Sequence, residues 1–324
     1  MTENVTPLAC RGVREPSPYF SNGKICGILY VQPGIYPIER IDTMGKKILP
    51  ALLALLGGGA GFALRKWQLA TGFEADTALA IPGAPAAMVM IAFSACMALL
   101  FFFLCRKENG PLSWESAFAA GEQNTLAATA LILSAMLLLV SGGLEIMEYM
   151  VNGASFYTGE TAFAKAASRV LPPLRIVLCL GSLPCVFFWS RAILQKKDGK
   201  ECLSALEPCI LYCVWLISTY QSRAADPVVQ DYLYEVFAIV TALLGFYFIA
   251  GFSFENGKPR QAVFFCLMGI YFSLVTLADR HGTADLFRHL FAVVYLTAHV
   301  LLILNHPPEE QEAVEEKTEA DDHA

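Results

Sequence analysis

A train of eight apolar stretches between Ile48 and Leu304, separated by short polar connections, constrains this chain more than any other feature. Hydropathy places them at about 48–64, 84–105, 125–145, 170–190, 204–220, 233–254, 261–279 and 287–304. Each is close to the length that crosses a hydrocarbon core, roughly 17–25 residues. No water reaches the backbone there, so an apolar spanning segment satisfies its own N–H and C=O groups as a helix. The expectation is an all-α, polytopic transmembrane helical bundle of about eight spans. Seven is the rival count, because Glu207 and Pro208 interrupt the fifth stretch and Arg288, His289 and His299 load the eighth. Pro172, Pro173 and Pro184 predict a kinked or broken fourth span.

Composition agrees. Hydrophobic residues are 56% of the 324 positions and charged residues 16%, where a soluble domain carries about 25%. Much of the net charge of −6 comes from the last sixteen residues, in which eight acids oppose Lys317 alone. We read 306–324 as a disordered acidic tail. Clustered positive charge is missing, which argues against a nucleic-acid partner. The ten cysteines show no CxxC or Cys/His ligand spacing. They are expected as small apolar fillers rather than metal or redox groups.

Residues 1–43 carry scattered Pro and Gly with no periodic apolar pattern, and are expected to be irregular. Met44-Gly45-Lys46-Lys47 before an apolar run resembles the start of a bacterial membrane chain, so translation from Met44 is expected. The transmembrane domain is then 44–305. Gly61 and Ala63 also permit a signal-peptide reading with cleavage after Ala63; an uncleaved anchor is favoured.

Lys and Arg counts set the orientation. With the N-terminus inside, cytoplasmic segments hold fifteen and the opposite side seven, Arg175 lying within a span. Both termini are therefore expected in the cytoplasm, in the cell membrane. Arg65 and Lys66, directly after the first stretch, run against the trend.

Charges inside a bilayer cost about 3 kcal/mol or more unless paired or hydrated, so each needs a partner. Arg175 lies about a turn and a half into the fourth span and is expected to pair with Glu235 or Glu145. Glu145 and Glu148 sit three apart, on one helix face. Arg288, Ala292, Tyr295 and His299 fall on one face of the eighth span and descend about 16 Å from its outer end. His299 near the midplane suits a proton relay, a head-group contact or a hydrogen bond to a neighbouring helix. Ser273, Thr276 and Arg280 share a face of the seventh span, with Asp279 and His281 adjacent. The candidate polar set is thus Glu145, Glu148, Arg175, Glu235, Asp279, Arg280, His281, Arg288, Tyr295 and His299.

These residues gather toward one face of the membrane, predicting an outward-facing polar cavity. The loop 65–83 is a candidate cap, and pieces of 106–124 and 147–168 are candidates to lie along the interface. Gly57-Gly58-Gly59 and Gly61 predict close helix contact. No phosphate loop, HExxH or nucleophile elbow is present, so no catalytic, metal or cofactor residue is assigned. The leading reading is binding or transport of a small solute. The alternative is a non-catalytic anchor, sensor or assembly subunit with other membrane subunits as partners; a membrane-bound enzyme comes third.

Overall fold

The structure, a computed structural model, describes residues 39–74, 79–107, 113–118, 124–152, 162–195, 203–223 and 228–305. Eight long helices carry it: α1 (Glu39–Thr71), α2 (Pro85–Leu104), α4 (Thr125–Asn152), α5 (Ala162–Leu194), α6 (Glu207–Arg223), α7 (Val229–Gly251), α8 (Pro259–Thr276) and α9 (Thr283–Leu304). A single turn, α3 (Trp114–Ala117), lies between α2 and α4. All eight long helices are long and apolar enough to cross a membrane, and the chain is a multi-pass membrane protein. The sixth and ninth helices, which sequence alone left marginal, both qualify. The expected irregular segment falls outside the described residues as far as 38, as does the acidic tail from 306. Helix α1 begins at Glu39, ahead of Met44.

The layers follow from burial. In α8 and α9, 72% of the most apolar window is buried within the bundle, against 22% in α2 and 28% in α5. Helices α8 and α9 therefore form the centre: α1 and α7 pack on α8, α4 packs on α9, and α2, α5 and α6 close the outside. The outer faces stay apolar. Met88, Ile91 and Phe103 on α2, Ile132 and Met136 on α4, and Val177, Phe187 and Phe188 on α5 are all exposed. Lipid is as apolar as these side chains, so this exposure costs nothing in a bilayer.

Lipid tails also give apolar helices little reason to associate, so close packing carries the contact. On α1, a Cβ built at Gly61 would stand 2.6 Å from Val275 of α8. On α8, one at Gly269 would stand 2.7 Å from Leu296 and 3.2 Å from the Ala242 Cα. The expected role of the α1 glycines thus holds at Gly61 and also at Gly58, which meets Leu274, but at Gly59 nothing lies within 4 Å. Pro85 and Pro259 open α2 and α8 at positions where their missing N–H has no helical partner to lose.

Of the two outcomes expected for the fourth span, the break is not present: helix α5 runs continuously through Pro172, Pro173 and Pro184, as spans do when neighbouring helices and side chains re-satisfy the freed carbonyls. The Trp114 to Phe118 piece, part of one stretch expected along the interface, turns Trp114 and Phe118 into the bundle. Both residues are buried, and Trp114 packs edge-on against Trp189 of α5 with centroids 4.7 Å apart.

Candidate functional site

Eight crossings bring the ends of α1, α4, α6 and α8 together with the starts of α2, α5, α7 and α9. We call this the polar end. A cavity of about 320 Å³ lies there, lined by α4, α5, α6, α7, the 277–282 connection and α9. Exposed lining residues, Ser222, Arg280 and Gly282, join it to the surface.

Its floor is an ion-pair network. Glu145 of α4 accepts hydrogen bonds from Arg175 of α5 and from Arg288 of α9. Arg288 also donates from Nη1 to Asp285 at 2.7 Å, and its guanidinium lies 4.7 Å above the Trp215 ring. The Tyr212 hydroxyl donates to the Arg288 backbone carbonyl at 2.9 Å, while Arg175 reaches Ser218 of α6 at 3.3 Å. Glu145 and Arg288 are both buried. A charge so placed needs a partner at close range, and two cations on one carboxylate tie three helices together.

The wall beside α7 is built around Glu235. Arg223 of α6 donates to it at 3.5 Å, and His281 Nδ1 faces it at 3.9 Å. Next to it, Asp279 accepts from Arg65 Nε at 2.7 Å and from the Thr276 hydroxyl at 3.0 Å. Burial pushes the Asp279 carboxyl above its ordinary value, and Arg65, Thr276 and His281 draw it back. At the rim, Glu148 accepts from the Thr283 hydroxyl at 2.9 Å.

Arg175 therefore pairs with Glu145, one of the two partners expected; Glu235 takes Arg223 and His281 instead. Glu145, Glu148, Arg175, Glu235, Arg280 and His281 line the cavity, and Asp279 and Arg288 buttress it through the ion pairs above. Tyr295 and His299 do not reach it. The Tyr295 and His299 rings are in contact, with centroids 4.2 Å apart. Trp189 Nε1 donates to His299 Nε2 at 3.0 Å, and His299 Nδ1 bonds the Tyr295 carbonyl at 2.8 Å. An indole N–H can only donate and a carbonyl can only accept, so the ring is a neutral tautomer with both nitrogens occupied. Of the roles weighed for His299, the hydrogen bond to a neighbouring helix is the one present. It joins α9 to α5 in the aromatic cluster of Trp114, Phe118 and Trp189, far from the polar end.

Sequence reasoning missed Arg65, Asp285 and His289. Arg65 was placed in a loop, yet α1 continues to Thr71 and Arg65 is buried, donating to Gln68 at 3.0 Å. Asp285 was not among the candidates, although its spacing of three from Arg288 was the available signal. None of the described residues of the 65–83 loop lines the cavity, so it gives no support to a cap. Among the described residues no group of metal-ligating side chains forms. No family model matches this chain, and no curated protein or solved structure matches it either.

Proposed function

We propose that the polar-end cavity binds a small polar solute and that the protein moves it across the cell membrane, with the cavity facing outward and both termini in the cytoplasm. The observation that carries the reading is a surface-joined cavity of about 320 Å³ whose floor and walls carry ionisable side chains inside a membrane bundle. Its volume is at the small end of ligand sites, roughly 300–1,000 Å³. Ion pairs that merely fasten helices have no need of a hollow beside them.

The charge pattern narrows the solute. Of the lining residues, Arg175, Arg223 and Arg280 stand against Glu145, Glu148, Glu235 and Asp285, with Arg288, Arg65 and Asp279 paired behind them. A site so lined offers both signs within one small volume. It suits a molecule carrying an anionic and a cationic group better than a simple ion, which would meet its own sign on the opposite wall.

Uptake into proteoliposomes tests this. Labelled amino acids and betaines are offered as zwitterions, with a monocarboxylate and a primary amine as single-charge controls. Flux of a zwitterion, lost when Ser222→Trp fills the cavity while the protein still inserts, is the expected result. Equal flux with and without the tryptophan, or no flux for any of them, rejects the reading.

A further inference from the structure

We propose that the cavity wall contains a proton-binding site at His281, which takes its proton on Nδ1 opposite Glu235. The first step is the tautomer. His281 Nε2 lies 2.6 Å from the Thr276 carbonyl oxygen. A carbonyl can only accept, so Nε2 carries the hydrogen in every protonation state that keeps this contact. The Thr276 hydroxyl, 3.0 Å from the same nitrogen, spends its own hydrogen on Asp279. Nδ1 is left as the basic atom of the ring, and it lies 3.9 Å from the Glu235 carboxylate. A proton arriving from cavity water adds to Nδ1 without displacing an existing bond, and the imidazolium then faces an anion.

The surroundings single out this group. Every fixed cation of the network is a guanidinium, which does not release its proton in proteins. Histidine is the side chain that ordinarily changes charge between about pH 5 and 8. Around His281 stand Glu235 from α7 with Arg223 of α6 behind it and Asp279 with Arg65 of α1 behind it, and Arg280, Glu148 of α4 and Asp285 of α9 line the same cavity. His289 of α9 touches its ring, with centroids 5.0 Å apart. His289 is fully buried, and both its ring nitrogens lack a hydrogen-bond partner. A second imidazole whose ring nitrogens make no hydrogen bond thus stands behind the proton site. This inference adds to the solute reading the ion whose uptake would accompany the solute, and it stands on geometry that the solute reading does not require.

The test is nitrogen NMR of the full chain in lipid nanodiscs, with histidine labelled with nitrogen-15 and the His281 signals assigned by their loss in His281→Gln. As pH is lowered, Nδ1 is expected to pass from acceptor to protonated form while Nε2 stays protonated throughout. In Glu235→Gln this transition moves to lower pH. In Arg223→Gln, which frees Glu235 from its other cation, it moves to higher pH; this variant keeps the test open should Glu235→Gln fail to fold. A ring that keeps one form across the pH range, a change at Nε2 instead of Nδ1, or transitions unmoved in both variants would overturn the site. A titrating His281 in a protein that transports no zwitterion would leave the proton site standing and reject the solute reading alone.

Discussion

Glu145 holds two arginines at once, so its loss exposes both. Replacing it with Gln leaves Arg175 and the buried Arg288 short of an anion, Asp285 alone remaining on Arg288. Removing one partner of a buried pair typically costs about 3–5 kcal/mol. Glu145→Gln should therefore lower the thermal unfolding midpoint in detergent markedly, whereas Glu148→Gln at the rim, where exposed pairs contribute about 1 kcal/mol or less, should barely move it. His299→Phe makes a different test. It leaves the Trp189 indole N–H, which donates at 3.0 Å, without an acceptor, at a cost of about 1–3 kcal/mol. Since His299 lies away from the cavity, stability should fall while solute flux per folded molecule stays at the wild-type level. A large loss of flux at unchanged stability would return His299 to the functional set. At this scale the sequence was readable wherever a charge sat in an apolar run, because the cost of burying it demands a partner: Arg175 announced its need for Glu145 or Glu235. It was silent on His289, whose open nitrogens matter only once the His281 ring is known to touch it. It was also ambiguous on His299, because periodicity gives a face but not the Trp189 that meets it.

Helix contacts in this bundle depend on a few positions where backbone approaches side chain. Gly269 is the tightest of those facing two helices, with Leu296 of α9 on one side and Ala242 of α7 on the other. Gly269→Leu should push the central helices apart, and overpacking of this kind costs about 1–3 kcal/mol. The expected readout is a lower yield of monodisperse protein and a lower unfolding midpoint. Gly59→Ala, with nothing within 4 Å of the added methyl, should be neutral or slightly stabilising, since alanine is the better helix former. If the two substitutions behave alike, close packing on α8 is not what holds these helices. The number and cores of the spans were legible, because the hydrocarbon thickness sets their length, while several ends were not: α4 runs on to Asn152 and α9 opens at Thr283. The end of the first span shows why. Helix α1 was expected to end near residue 64, since Arg65 and Lys66 look like a loop. It runs on to Thr71 because Arg65 finds Asp279, 214 residues later in the chain, a partner no local pattern could reveal.

For the molecule as a whole, orientation decides which way the polar end faces. Arg65 and Lys66, which run against an inside N-terminus in the charge count, lie in the last turns of the first span. Eight crossings also place the start of α1 and the end of α9 at the same end of the bundle, opposite the cavity. If that end is cytoplasmic, the cavity opens outward, and a single cysteine can report it. Ser222 lines the cavity and is exposed. In a background with the native cysteines replaced, Ser222→Cys should react with a membrane-impermeant maleimide added to intact cells, and a transported zwitterion should slow that reaction. A cysteine at Glu255, exposed in the connection at the opposite end, should react only after the cells are permeabilised. The reverse pattern would invert the orientation while leaving the cavity intact, and the solute would then be read as leaving the cell. Reaction of both cysteines from one side would mean that the eight helices do not all cross, and the polar end would no longer be one face of the membrane.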